Sequence, residues 1–228
     1  MSFKRKILPD SFPRGDELTR QLVSIGFGFA ENRAKAEPNI EDAIIAASIE
    51  GLNGDFRTLS LLVDWIPIHL KQLNIDRLNF ALRELEEPML RAFWSAIARW
   101  QKKDPRMTKL RRIYRGPRIP ILPLDEIRFH LKRSGEDERF KESHLLVPEK
   151  MLRHRPSDIS EPAWVAKFHL AYRYRIIIGP TYRADMWALL EKDPTLGPSE
   201  LARRCYGSFG TAWDVKQDWS VIRTVMAA

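Results

Sequence analysis

The amino-acid sequence predicts a mainly α-helical protein with a helical-bundle body, a small β element in mid-chain and a C-terminal unit of three helices. Residues 39–104 carry apolar side chains at three- and four-residue spacing in four successive segments, a pattern typical of amphipathic helices. Residues 105–156 lose that spacing and contain several prolines. Residues 182–225 then alternate helix-like stretches with short breaks. Together these three patterns indicate the fold class.

The composition is that of an ordinary globular protein. The chain has 228 residues, of which 44% are hydrophobic and 30% charged, enough for one large domain or two smaller ones. No apolar run approaches the roughly 18 residues that a membrane helix needs, and no signal peptide is indicated. The one cysteine, Cys205, excludes an internal disulfide and a multi-cysteine zinc site. We therefore expect a soluble, cytoplasmic protein with no membrane partner.

Four helices with short loops are predicted for the body, residues 39–104, favouring antiparallel hairpins or a bundle. Asn39 and Asn74 are candidate N-caps, because an asparagine side chain can accept a hydrogen bond from the free amides of a first helical turn. Pro67 should kink or split the second helix. Residues 1–38, which precede the body, are predicted to be partly flexible with one short helix.

Residues 105–156 are predicted to form a basic segment with short strands. Prolines prevent a helix over residues 118–123 and favour an extended edge. Apolar and polar side chains alternate over residues 127–131, which predicts a strand. The apolar run at residues 144–148 could pair with it.

The last segment, residues 157–228, is predicted to hold a long helix followed by the C-terminal unit. Ser157 or Asp158 would cap the long helix, and apolar side chains recur every four residues from Trp164 to Ile176. A Gly-Pro pair then ends this helix.

The C-terminal unit is predicted to have a small core of its own. Leu201, Ala202 and Cys205 fall on the inward face of its middle helix. Gly207 would take the left-handed conformation that ends this helix, and Ser208 would cap the next. The buried side of the last helix is predicted to contain Trp213, Val215 and Trp219.

This unit resembles the helix-turn-helix of DNA-binding regulators, so we describe it as helix-turn-helix-like. Glu200, Leu201 and Ala202 match the common start of that motif, and Gly207 with Ser208 matches its turn. The turn glycine follows Ala202 by five residues where the usual pattern has four, and no clear wing follows the last helix.

The resemblance implies that the last helix enters the major groove of DNA and that nearby arginines hold phosphates. The base-edge contacts would be Ser208, Thr211, Lys216 and Gln217, and the phosphate contacts Arg183, Arg203 and Arg204. Asp214 and Asp218 lie on the same helix and would repel DNA. The overall pattern is also faintly similar to antitoxins of bacterial abortive-infection systems that accompany nucleotidyltransferase toxins, a similarity that specifies no site.

Positive charge is concentrated away from this unit. The protein has a net charge of +8, and residues 99–133 contain twelve basic against three acidic residues. Residues 182–225 contain six of each, and residues 150–175 have an excess of four basic residues. The basic middle segment therefore favours a polyanionic partner, although an acidic protein would be attracted by the same field. Its candidate phosphate contacts are Arg111, Arg112, Arg115 and Arg118, and Tyr114 could stack on a base.

Signals for catalysis are weak. The five histidines lack metal-ligand spacing, and there is neither a glycine-rich phosphate loop nor a nucleophile elbow. Carboxylate clusters such as residues 136–138 could hold a metal ion in a nuclease, but a solvated loop is the simpler interpretation. We predict no catalytic residues, no metal and no cofactor.

Two functions lead, and an enzyme that assembles Asp or Glu residues from distant segments stays open as a third, less favoured one. The first is a nucleic-acid-binding regulatory protein, with DNA favoured, that uses the basic middle segment for affinity and the C-terminal unit for register. The alternative is a protein-interaction module, such as an antitoxin or accessory subunit, that covers an acidic partner. The oligomeric state stays open. Proximity of the basic segment to the C-terminal unit would favour the first.

Overall fold

The computed structural model of the protein describes residues 5–226. Residues 1–4, part of the segment predicted to be flexible, and residues 227–228 lie outside the described residues. The α-helices are α1 Gly15–Ser24, α2 Ile40–Leu52, α3 Phe56–His69, α4 Ile75–Leu85, α5 Pro88–Trp100, α6 Thr108–Arg111, α7 Leu124–Ser134, α8 Pro162–Phe168, α9 Leu170–Ile178, α10 Tyr182–Lys192, α11 Pro198–Arg204 and α12 Phe209–Met226. The strands are β1 Ile119–Pro120 and β2 Leu145–Leu146. The mainly α-helical fold class is confirmed.

Side-chain caps start three helices of the body where the sequence places polar residues. Asn39 accepts a hydrogen bond from the Asp42 amide at 3.0 Å, and Asn74 accepts one from the Arg77 amide at 3.0 Å. Asp55 caps α3 in the same way. Each cap satisfies an amide that the helix itself leaves without a partner, which contributes about 1 kcal/mol.

The core of the body lies between α1–α5 and the loops that follow them. Trp65 of α3 and Trp94 of α5 are fully buried in it. α2 packs closely on α3, because Gly51 has no side chain: a Cβ there would lie 2.7 Å from the Leu59 Cβ. α3 continues through Pro67 to its end at residue 69, so the predicted split does not occur.

The strand predicted over residues 127–131 is wrong, since this stretch belongs to helix α7. Ile127 is buried while Phe129 is 62% exposed, so the alternating residues do not share a strand face. Ile127 and Leu131 are instead four residues apart on one side of a helix, with acidic residues in its first turn and basic residues in its last. The extended piece predicted near residue 120 does form β1, and it pairs in parallel with β2.

The long helix predicted after residue 157 is two helices, α8 and α9, broken at His169. The His169 side chain accepts the Tyr172 amide at 3.2 Å and so caps α9, while its other ring nitrogen lies 3.0 Å from the Pro38 carbonyl oxygen. Because the break changes the helix axis, Trp164 and Phe168 are exposed and do not continue the buried position of Tyr172. The predicted caps Ser157 and Asp158 belong instead to a 3₁₀ turn before α8.

Helices α10, α11 and α12 enclose a second, smaller core, as predicted. Leu201, Ala202 and Cys205 are buried there. On α12 the inward residues are Ala212 and Val215, with Trp219 partly buried. The prediction for Trp213 is wrong: it is 51% exposed, because a position two residues before Val215 points to the opposite side of a helix.

Within residues 5–226, no helix combines the length and the apolar character that crossing a lipid bilayer requires.

Candidate nucleic-acid interface

The turn between α11 and α12 differs from its prediction in one respect. Tyr206, and not Gly207, has the left-handed conformation, with φ of 57°. Gly207 lies close to α10, and a Cβ there would displace the end of the Met186 side chain. Ser208 caps α12 as predicted, accepting the Thr211 amide at 3.1 Å. The three helices and this turn form a compact helix-turn-helix-like unit.

Tyr206 also attaches the turn to the body. Its hydroxyl donates to Asp42 of α2 at 2.5 Å, and the Arg77 guanidinium of α4 lies 3.8 Å from the centre of its ring. Arg77 donates in turn to Asp42 at 2.5 Å. Burial raises the pKa of Asp42 to about 6 even though Arg77 and Tyr206 oppose the shift. The turn therefore sits on a buried polar cluster.

A second buried cluster joins α9, α10 and α2. Arg175 donates to Glu41 at 2.7 and 2.8 Å and to Asp185 at 2.8 Å through two nitrogens. All three side chains are almost completely buried. Burial opposes the charge of the guanidinium, but the two carboxylates hold the pKa of Arg175 well above its ordinary value. The C-terminal unit is thus held to the body in one orientation.

Most of the polar side chains predicted to contact DNA from this unit are already engaged. Arg203 and Arg204 both pair with Glu200, whose pKa they lower to about 2. Lys216 donates to the Pro194 carbonyl oxygen at 2.6 Å. The hydroxyls of Ser208 and Thr211 lie 2.8 Å apart.

The two remaining predicted contacts are Arg183 on α10 and Gln217 on α12. Arg183 pairs with Asp218 at 2.7 Å, so the arginine and one of the two acids partly neutralise each other. Gln217 is exposed, and among the described residues its side chain has no hydrogen-bond partner. The surface of the unit is therefore close to neutral, with few cations available for phosphates.

A cationic surface lies in the middle segment. A cleft of about 660 Å³ opens between the end of α5, helix α6 and the loop at residues 138–142, and we call it the basic groove. Its cationic side chains are Arg99, Lys102, Arg111, Arg112, Arg139 and Lys141. Its acidic side chains are Glu138 and Glu142, so the lining carries an excess of four positive charges.

The cations of the groove differ in how far they are already paired. Lys141 pairs with Glu138 at 2.9 Å, and Arg111 donates to the Thr108 hydroxyl at 2.7 Å. Lys102 and Arg112 are exposed and make no ion pair with any described residue. The same holds for Arg115, three residues further along. Lys102, Arg112 and Arg115 are the cations that can meet phosphates without first breaking another contact.

Arg118 differs from the other predicted phosphate contacts in the basic segment, because its side chain already makes contacts that stabilise the fold. It pairs with Glu136 and donates to the carbonyl oxygens of Phe140 and Leu145 at 3.4 and 3.2 Å. Burial lowers its pKa. Arg118 thus braces the β1–β2 pair, and a phosphate contact there would have to displace these bonds.

Tyr114 is only partly available for stacking. Its hydroxyl donates to the Pro117 carbonyl oxygen at 3.0 Å, and its ring packs over Gly116. His144 meets the ring edge-to-face at 5.3 Å. The ring is fixed in place, so a base would have to stack on a tyrosine that already has neighbours.

The basic segment and the turn are attached to neighbouring residues of α4. Lys109 of α6 pairs with Asp76 at 2.6 Å. The next residue, Arg77, stacks on Tyr206 of the turn. The start of α4 therefore connects the two regions that the sequence suggested as partners.

Sequence reasoning missed part of the groove. Arg99 and Lys102 lie inside the segment whose charge was counted, so the signal for them was present. Arg139 and Lys141 come from a loop about 30 residues later, next to an acidic turn that masks them in the sequence.

Among residues 5–226, no three His, Cys, Asp or Glu side chains are grouped so that they could hold a metal ion. The buried histidines are structural: burial lowers the pKa of His69 to about 4, and its Nδ1 lies 2.6 Å from the Tyr172 hydroxyl. Burial also raises the pKa of Cys205 well above its ordinary value, so this thiol is not a nucleophile at neutral pH.

Comparisons of the chain with protein-family models, with curated proteins and with solved structures gave no match.

Proposed function

We propose that this is a nucleic-acid-binding regulatory protein, with DNA as the favoured partner, in which the basic groove supplies affinity and the C-terminal unit supplies orientation. The observation that supports this most directly is the set of exposed, unpaired cations formed by Lys102 and Arg112, which line the groove, and Arg115, which follows Arg112 by three residues. When a cation that the protein does not neutralise meets a phosphate, a counterion condensed on the nucleic acid is released. This release makes binding favourable and dependent on salt.

The C-terminal unit has the smaller share of affinity in this proposal. Arg203 and Arg204 share one carboxylate, and Lys216 is tied to a backbone carbonyl. Each contact with a phosphate would cost part of an existing interaction. The unit orients the nucleic acid through exposed polar positions such as Gln217, while the groove holds the backbone.

The test is fluorescence anisotropy with labelled duplex and single-stranded oligonucleotides at low salt. The groove triple variant, Lys102→Gln/Arg112→Gln/Arg115→Gln, should weaken binding by about a hundredfold or more for every sequence, since each lost phosphate contact costs roughly 1–2 kcal/mol.

The matched control removes the same charge from an exposed face of α7, as Arg128→Gln/Lys132→Gln/Arg133→Gln. These side chains are exposed and make no ion pair with other described residues. Equal weakening in both variants would mean that only net charge matters. No binding of either oligonucleotide by the wild-type protein at low salt would refute the proposal.

A second function, docking of a protein partner, is favoured by exposed apolar side chains along α12. Trp213 is 51% exposed and Val225 is 70% exposed, with Val221 and Ile222 between them. Apolar side chains on a helix that also carries acidic residues suit a protein surface better than a phosphate backbone. Ile222→Asp should abolish co-purification of such a partner and leave oligonucleotide binding unchanged. The opposite result would assign α12 to nucleic acid.

A further inference from the structure

A second cationic cleft lies at the start of α3, on elements that do not line the basic groove. It has a volume of about 520 Å³ between α3 and the loop at residues 151–158, and we call it the arginine cleft. Its lining includes Arg57, Arg153, Arg155, Phe56, Met151 and Asp158. This volume falls within the range of about 300–1,000 Å³ that is usual for small-molecule sites.

The loop that carries two of these arginines is fixed by a buried carboxylate. Asp64 of α3 is almost completely buried, and it accepts the Arg155 amide at 2.5 Å. His154 Nδ1 lies 2.6 Å from the other oxygen of Asp64. The Arg153 amide donates to the Ser60 hydroxyl at 3.1 Å. Backbone contacts therefore hold this tripeptide in one conformation.

A third side chain anchors the same loop from the opposite direction. Arg139 donates to the Leu152 carbonyl oxygen at 2.6 Å and is itself held by Asp137. Because these contacts already order the loop, ligand binding does not lose the conformational entropy of ordering it.

The guanidinium groups of the cleft remain available. Arg153 and Arg155 are exposed and make no ion pair within the described part of the chain. Arg57 lies over the Phe29 ring at 5.3 Å, a contact that leaves its nitrogens in solvent. Only one acidic side chain, Asp158, lines the cleft. Three forks of donors in one concave site match the oxygens of phosphate.

The remaining walls favour a ligand that also has a ring. Phe56 and Met151 are partly buried apolar side chains beside the arginines. Asp158 offers carboxylate oxygens that can accept a hydrogen bond from a ribose hydroxyl or an exocyclic amine. The cleft has three cations and one carboxylate, an excess of two positive charges against four in the basic groove, so its charge suits a discrete ligand better than a polymer.

We infer that the arginine cleft binds a free mononucleotide, with its phosphates on Arg57, Arg153 and Arg155 and its base against Phe56 and Met151. This goes beyond the proposed function, because the site shares no lining residue with the basic groove.

Isothermal titration calorimetry of the full-length protein tests this with ATP, AMP, adenosine, inorganic phosphate and a 5′-phosphorylated oligonucleotide as probes. We expect ATP or AMP to bind saturably and more tightly than adenosine or inorganic phosphate. Arg153→Gln/Arg155→Gln should weaken nucleotide binding by about tenfold or more, because two charge-assisted contacts are lost.

The control is the groove triple variant, which removes cations elsewhere and should bind nucleotides as the wild type does. Thermal melting of both variants checks that each is folded. Absence of saturable binding by ATP and AMP, equal loss in the groove variant, or binding of the oligonucleotide alone would overturn the inference. Since groove and cleft are altered separately, failure of nucleic-acid binding and failure of nucleotide binding are distinguishable.

Discussion

Arg175→Met should destabilise the protein strongly. Among the described residues, Arg175 is the only cation that pairs with the buried carboxylates of Glu41 and Asp185. The variant nearly keeps the volume of the side chain but leaves the buried carboxylates of Glu41 and Asp185 without their paired cation, and Glu41 retains only the hydrogen bond from the Asn74 amide at 2.9 Å. Removing one member of a buried ionic cluster costs about 3–5 kcal/mol. Because domains of this kind are stable by roughly 5–15 kcal/mol, this loss is a large part of the total.

Urea unfolding followed by tryptophan fluorescence measures this cost. With a slope of about 2 kcal/mol per molar urea, a loss of 4 kcal/mol lowers the midpoint by about 2 M. The matched control is Arg173→Met on the same helix, where the guanidinium is exposed and donates to the Ala166 carbonyl oxygen. The control should cost about 0.5 kcal/mol.

Lowering the pH gives an independent check of the mechanism. Burial raises the pKa of Asp185 above its ordinary value even though Arg175 opposes the shift, so loss of Arg175 raises that pKa further. The penalty of the variant is therefore full at neutral pH and shrinks as the Asp185 carboxyl takes up a proton on acidification. A cost below about 1 kcal/mol at pH 7, or a cost that does not change with pH, would refute the assignment of this cluster as the link between body and C-terminal unit.

Three further predictions concern the same region. Gly207→Ala should lower the melting temperature slightly, since its new methyl group displaces the flexible end of the buried Met186 side chain, at the low end, about 1 kcal/mol, of the usual cost of overpacking; a loss as large as that of Arg175→Met would contradict the packing. Ser208→Ala should cost about 1 kcal/mol by removing the cap on the Thr211 amide, whereas Ser208→Asp should retain most of the stability in the same melting experiment. Asp42 has a pKa raised from 3.8 to about 6, so its contribution to stability decreases as pH rises between these values and is constant above them. Urea titrations from pH 4 to 7 should show that decrease in the wild type and lack this part of it in Asp42→Asn.

Local signals were enough to predict much of the body. Asn39 and Asn74 cap the helices that the sequence assigns to them, because a cap depends on residues only three positions away. The inward positions of α11 also follow from spacing alone. The strand over residues 127–131 was wrong because five residues are too few to distinguish a two-residue period from a helical one, and burial decides.

Distant contacts set what the sequence could not predict. The break at His169 depends on the Pro38 carbonyl, 131 residues earlier. The left-handed Tyr206 is fixed by Asp42, 164 residues away. Neither distant partner leaves a pattern in the residues around His169 or Tyr206. Spacing rules therefore place His169 inside a continuous helix and assign the left-handed conformation to Gly207.

The candidate site shows the same division. The excess of basic residues in the sequence indicated the middle segment. Arg112 and Arg115, two of its predicted phosphate contacts, are exposed. Charge counting could not separate them from Arg118, which is turned toward backbone carbonyls. Nor could it show that the cations of the C-terminal unit are already paired, which moves the emphasis of the proposal to the groove.

The dependence of DNA affinity on salt is the most direct test of the groove as the source of affinity. Anisotropy titrations of one labelled duplex between 50 and 200 mM salt give the slope of log affinity against log salt, about 0.9 for each phosphate contact. If Lys102, Arg112 and Arg115 each meet one phosphate, the groove triple variant should lose about 2.7 units of slope, and the α7 triple variant should keep the wild-type slope. Identical slopes for the wild type and the groove variant would contradict the account.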